Sequence, residues 1–150
     1  MFQLDPELES FRQEARKMAE RAFAAKAAYW DEEEIYPAEN LKLLAELGYL
    51  GLVIPEAYGG SGAPIIQGTI LLEEIARVCF NTALVAQVGI NGPSRAITIL
   101  GNEEQKKRWL PGCVSGENIF GIGISEPGAG SAMTDMITSA TPDGDHIILN

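Results

Sequence analysis

Ser125, Glu126 and Ser131, set among Gly121, Gly123, Gly128 and Gly130, are the residues of this 150-residue chain whose types and spacing could do chemistry. Residues 119–124 put Phe120, Ile122 and Ile124 on one face of an alternating pattern and Gly121 and Gly123 on the other, which predicts a strand with one apolar side and one bare side. A bare side admits a flat ligand. In the loop that follows, Ser125-Glu-Pro-Gly-Ala-Gly-Ser131, the proline removes a donor, two glycines tolerate positive φ and a hydroxyl stands at each end. Such a loop can aim several N–H groups at an anion.

Three commoner motifs fail there, each on one residue. A dinucleotide-binding fingerprint beginning at Gly121-Ile122-Gly123 needs glycine where Glu126 stands, and no helical pattern follows directly. A Walker loop needs Gly-Lys-Ser/Thr, and no lysine lies from position 108 onward. The nucleophile elbow almost fits Gly123-Ile-Ser125-Glu-Pro127, but Pro127 replaces the glycine that permits the tight turn. That also weakens a Ser/His/Asp reading of Ser125 or Ser131 with His146 and Asp143, since His146 falls in a predicted hairpin strand and reads as a strand surface residue. On spacing alone, a Gly/Pro-rich turn closing an edge strand remains open.

Three stretches carry a family resemblance. Gly123-Ile-Ser-Glu-Pro-Gly-Ala-Gly-Ser131 resembles the first signature of the acyl-CoA dehydrogenases, Ile54-Pro-Glu-Ala-Tyr-Gly-Gly60 their early Pro-Glu-x-x-Gly-Gly turn, and Gly101-Asn-Glu-Glu-Gln-Lys-Lys-Arg-Trp-Leu-Pro111 their Gly-x-Glu-Glu-Gln-Lys helix. Order and separations agree, so the resemblance covers essentially the whole chain. It departs at Ala132, where the family usually has Asp; the next acid is Asp135.

The resemblance implies an α+β fold, with an N-terminal all-α helical domain over 1–115 and the first strands of an antiparallel β-domain over 116–150. It implies FAD as cofactor and α,β-dehydrogenation of an acyl-CoA thioester, as in fatty acid metabolism. A Glu removes the α-proton, the β-hydride passes to flavin N5, and electrons leave to an electron-transferring flavoprotein. The family's enzymes are homo-oligomers, so a dimer or homotetramer is expected. Matched residue by residue, Ile122, Ile124 and Ser125 meet the pyrimidine edge of the flavin through backbone groups and the Ser hydroxyl. Gly130 and Ser131 face the FAD pyrophosphate, and Ser131 also the CoA thioester side. Register from Gly101-Asn102 brings Val85, Val88, Gly89 and Gly92 to the wall of the acyl pocket, with plain helix packing as the open alternative. Abstraction of an α-proton needs a carboxylate of raised pKa. Glu126 is the only acid inside the signature, but a carboxylate beside the flavin would oppose its reduction, and the family's base comes from a C-terminal helical domain. No catalytic base is therefore assigned within 1–150. Two alternatives stand beside this reading: an acyl-CoA oxidase or flavin monooxygenase, which shares the signature, and an acidic interaction subunit that keeps the fold without flavin, for which Ala132 is an argument.

The elements that must position these residues begin from a composition of 46% apolar residues, enough for one sizeable core or for one domain and the start of another. A net charge of −10 argues against a nucleic-acid footprint or attraction to an anionic membrane surface. Cys79 and Cys113 read as buried thiols, and with one histidine in the chain no metal-ligand spacing is present. The N-terminus has no basic region followed by an apolar run, and no apolar run approaches the ~20 residues of a membrane span, so a soluble, cytoplasmic protein is expected.

Asp5-Pro6 opens a helix carrying Leu8, Phe11, Ala15, Met18 and Ala22 to near Ala28, and Asp31 to Glu34 read as a solvated connector. Pro37 restarts a helix with Leu41, Leu44 and Leu47 inward and Gly48 at its C′ position. Residues 65–78 form the next, with Ile66, Ile70, Ile75 and Val78 inward and Glu73, Glu74 and Arg77 outward. Asn81-Thr82 caps a buried helix over 83–90, Gly89, Gly92 and Pro93 break it, and 94–100 resumes it. Asn102 and Gln105 form a capping box ahead of Lys106, Lys107 and Arg108, which complement the helix C-terminus. Near residue 115 the period changes from 3.6 to 2, the one domain boundary the pattern shows. Residues 136–140 and 146–149 then flank a Pro142-Asp143-Gly144 turn. The second strand has scarcely formed at Asn150, and the expectation is that the chain belongs to a longer protein.

Overall fold

A computed structural model describes residues 3–150. Asp5 caps the first helix, α1 (Pro6–Phe23), by accepting the Leu8 N–H at 2.8 Å, and Pro6 occupies the first turn, where no N–H is needed. Its Ala15, Ala19 and Phe23 are completely buried. The helical path does not end near Ala28. A 3-10 turn at Ala24–Lys26 and a short helix α2 (Ala27–Glu32) carry it on, because this delivers the large Trp30 to the core. Asp31 and Glu32 are therefore helical, and only Glu33 and Glu34 are left to turn the chain.

In α3 (Ala38–Glu46), Leu41 and Leu44 are buried and Gly48 takes the left-handed conformation, φ +76°, that ends the helix. Leu47 does not pack inward as the spacing predicts; it is the C-cap residue, beyond the last inward turn, and is exposed. The following Ile54-Pro-Glu-Ala-Tyr-Gly-Gly60 turn needs both glycines. Gly59 sits at φ +90°, and a Cβ on Gly60 would collide with the carbonyl oxygens of Ile54 and Gly51.

Helix α4 (Ile65–Ala76) packs against α1 on one side and, on the other, against α5 (Phe80–Asn91). Gly68 lets α5 approach, since a Cβ there would press on Ile90 and Val53. The predicted face is rotated: Ile70, Leu71 and Ile75 are buried, Ile66 is exposed, and Glu74, expected outward, is 1% exposed. Glu74 accepts two hydrogen bonds from Arg16 on α1, at 2.8 and 3.0 Å, and one from Arg77 at 3.2 Å, so a buried charge is paired from two sides. A second buried polar group also differs from expectation. Thr82 is no cap; the helix begins earlier, with Cys79 as N-cap, and the Thr82 hydroxyl receives a hydrogen bond from Asn40 Nδ2 at 2.7 Å. Cys79 and Cys113 are both buried free thiols.

Gly92 divides α5 from α6 (Pro93–Leu100). Helix α7 (Glu103–Ser115) opens with the full capping box: Asn102 accepts the Gln105 N–H and the Gln105 side chain accepts the Asn102 N–H, each at 2.9 Å. It continues through Pro111 to Ser115 because Leu110 and Cys113 extend its buried side. Lys106, Lys107 and Arg108 thus lie mid-helix and do not meet the C-terminal dipole.

Beyond Gly116, at φ +77°, residues 118–125 lie in neither helix nor strand, and a 3-10 turn follows at Met133–Asp135. The expected strand over 119–124 has no ladder partner among the described residues. The two strands that do pair, β1 (Ala140–Asp143) and β2 (His146–Leu149), are antiparallel with Asp143 opposite His146. The turn is Gly144-Asp145, shifted from Pro142-Asp143-Gly144, because a two-residue hairpin needs positive φ at its first central position and Gly144 supplies it at +58°. β1 accordingly starts at Ala140, not Met136, and includes Pro142.

Pairing with Arg16, opposed by burial, holds the Glu74 carboxyl below the usual carboxylate range. A depressed folded-state pKa contributes stability that is complete above the unfolded carboxylate value and is lost as pH falls through the folded one. Stability by urea titration should therefore be level near neutrality and fall once pH drops below about 4.3. Glu74→Ala should cost about 3 kcal/mol at pH 7, the low end for a broken buried pair because Arg16 can rehydrate, and should flatten the acid limb. A variant of unchanged stability would show that the charge pair does not tie α1 to α4.

Candidate functional site

The site is built on the passage from α7 into the extended segment. Phe120 packs with Ile54, Leu110 and Cys113 and stands edge-on to Trp109, ring centroids 5.7 Å apart. Two residues earlier, the Asn118 N–H bonds to the Gly112 carbonyl at 2.9 Å, with the Asn118 side chain lying where a Cβ of residue 112 would be. A side chain at 112 would displace the Asn118 amide. These contacts fix the segment at its start, while Ile122 and Ile124, on the same face as Phe120, remain exposed.

The bare face is present. A Cβ built at Gly121, Gly123, Gly128 or Gly130 would meet nothing within 4 Å. The N–H groups of residues 121–125, Gly128, Gly130 and Ser131 make no hydrogen bond among the described residues, nor do the Ser125 and Ser131 hydroxyls. The loop is nevertheless shaped. Glu126 and Ala129 exchange backbone hydrogen bonds at 3.0 and 3.1 Å across Pro127-Gly128, and Ala129 is buried. The Glu126 carboxylate turns away from the bare face and accepts the Ile137 N–H at 2.8 Å and the Thr138 N–H at 3.0 Å. Hydrogen bonding from Thr138, then from Ile137, holds this carboxyl below the usual range. That is the reverse of what a general base at neutral pH requires. With an open flat face, uncommitted N–H donors and its one carboxylate engaged elsewhere, the stretch fits a planar group with an anionic tail.

A cavity of about 260 Å³ adjoins it. Val85, Val88 and Gly89 line one wall, and Asn118, Ile119 and Phe120 line another. Of the four positions singled out in sequence, Gly92 does not line the cavity. It makes the break between α5 and α6, where a Cβ would strike the Val88 carbonyl, and the Ser94 hydroxyl closes the break by donating to the Gly89 carbonyl. Sequence reasoning missed Asn118, Gly112 and the role of Glu126. Their partners are distant in sequence or are backbone groups, and no residue type announces them.

A helical N-terminal domain followed by an antiparallel hairpin matches the corresponding part of solved acyl-CoA dehydrogenases. Residues 5–117 match the acyl-CoA dehydrogenase N-terminal domain family, and the chain belongs to it. Among curated relatives, it is 37% identical to the 3-sulfinopropanoyl-CoA desulfinase of Advenella mimigardefordensis over the whole of this chain and 37% of that protein. A glutaryl-coenzyme A dehydrogenase solved as its glutaryl-CoA complex superposes with a TM-score of 0.89 at 35% identity, over 100% of this chain and 39% of that one. An acyl-CoA dehydrogenase complexed with FAD from Bacillus anthracis superposes with a TM-score of 0.84 at 28% identity, over 98% of this chain and 26% of that one. The chain thus spans about two fifths or less of the relatives it matches. Among the described residues, no helix is long and apolar enough to cross a membrane.

Phe120→Ala should release the segment from α7 and cost about 1–3 kcal/mol, less than for a wholly buried ring. Trp109 fluorescence should report the lost edge-on contact. An unchanged emission spectrum together with unchanged stability would mean that Phe120 does not anchor the segment.

Proposed function

We propose that this chain is the flavin- and acyl-binding N-terminal part of an FAD-dependent acyl-CoA dehydrogenase. The observation that carries the reading is continuity: residues 118–120 form a wall of the apolar cavity, and residues 121–125, directly following, form the bare face. An acyl chain in the cavity would therefore end beside a flat ring on the glycines. FAD, when bound, supplies a hydride acceptor at that junction. The residues here bind and orient. The backbone of Ile122 and Ile124 and the hydroxyl of Ser125 meet the pyrimidine edge, the N–H groups of Gly130 and Ser131 take the pyrophosphate, and Val85, Val88 and Gly89 bound the acyl chain. Gly92 shapes that pocket from behind through the helix break. The α-proton is removed by a base outside residues 1–150, the helical domain ends at 115, and the assembled protein is a cytoplasmic homo-oligomer that passes electrons to an electron-transferring flavoprotein.

A second reading is favoured by the 37% identity to a desulfinase acting on 3-sulfinopropanoyl-CoA. The same binding site would then serve loss of a sulfinate group. Assaying 3-sulfinopropanoyl-CoA beside simple acyl-CoA thioesters, for sulfur release and for reduction of an artificial acceptor, separates the two.

In the full-length protein, Gly123→Val should abolish FAD retention while leaving the helical circular dichroism unchanged, since the branched side chain stands on the bare face. Stoichiometric FAD in that variant would place the ring elsewhere. Ser125→Ala should bind FAD but lose roughly 1.5–3 kcal/mol of stabilisation of the reduced ring, the scale of a hydrogen bond to a charged group. An unchanged midpoint in a redox titration would remove Ser125 from the site.

A further inference from the structure

The mutual geometry of Glu126, Ile137 and Thr138 points to a positioning device that the signature's spacing does not disclose. The loop carrying the proposed flavin contacts, 125–131, has almost no side-chain packing of its own; Ala129 is its only buried residue. Two sets of hydrogen bonds shape it. One is the local exchange between Glu126 and Ala129, which sets the turn. The other reaches across the chain, from the Glu126 carboxylate to the consecutive N–H groups of Ile137 and Thr138, at 2.8 and 3.0 Å, one to each oxygen. These are charge-assisted bonds to two consecutive backbone donors just ahead of β1, so the hairpin and the loop are tied together. A carboxylate suits the task because it is acceptor-only on both oxygens. Glutamine offers one acceptor oxygen and turns an NH2 toward an N–H.

We infer that Glu126 is a positioning residue, a clasp that fixes the 125–131 loop to the 137–138 segment and thereby aims the Ser125 hydroxyl and the Gly130 and Ser131 N–H groups at the flavin. The inference rests on the reading of this stretch as an FAD site. Glu126 has no part in proton transfer. Its contribution is to spare the ligand the cost of ordering the loop.

The test uses the full-length protein with FAD itself as probe, in wild type, Glu126→Ala and Glu126→Gln. Amide hydrogen exchange at 137–138 should be slow in the wild type and fast in Glu126→Ala, with the thermal transition of the helices unchanged. FAD should dissociate from Glu126→Ala with a Kd raised about 10- to 100-fold, and from Glu126→Gln with a smaller rise, since one acceptor survives. The visible circular dichroism of flavin bound to Glu126→Gln should differ from the wild type, reporting an altered ring setting that a purely structural role would leave alone. If wild type binds FAD and Glu126→Ala binds it as tightly, the clasp does not position the site and the inference fails alone. If exchange at 137–138 is the same in all three proteins, the clasp itself is refuted. If wild type retains no FAD, the reading of the site fails and the inference with it.

Discussion

The docking of Phe120 against Ile54, Leu110, Cys113 and the edge of Trp109 is the joint on which the functional half of the chain depends. Upstream, the helices bury their apolar faces against one another. Downstream, almost every side chain is exposed, with Ala129 the only buried residue after Phe120. A segment with so little burial is defined by hydrogen bonds within itself, so its placement relative to the helices comes from this aromatic contact and from the Asn118 to Gly112 bond behind it. The cavity exists on the same terms. α5 forms one wall, α3 another, and the segment that Phe120 holds in place a third.

Two carboxylates organise the molecule, and both are spent on structure. Glu74 is buried between α1 and α4 with Arg16 and Arg77 against it; Glu126 is half-buried and receives two backbone N–H groups. Each is held below the usual carboxylate range, by Arg16 and by Thr138 respectively. General-base work at neutral pH calls for the opposite environment, with desolvation unopposed by donors. Neither carboxylate is placed for that role.

What the sequence determined by itself was whatever depends on local chemistry. Asp5 before Pro6, Asn102 with Gln105, and Gly48 after Leu47 marked helix ends because caps and left-handed glycines act through neighbours within four positions. The alternation over 119–124 disclosed a bare face because side-chain period is a local property, and three motifs in order disclosed the family. What only the tertiary structure decided was which face of an element is inside. α4 is apolar on several sides, so its orientation is set by α1 and α5, and that rotation buried Glu74 and exposed Ile66. Thr82 lies within a helix because Asn40, 42 positions away, supplies its partner. Glu126 accepts from 11 and 12 positions ahead, and Gly92 stands outside the cavity lining, at the break between α5 and α6. Partners at such separations are selected by packing over the whole chain, and no periodicity carries them.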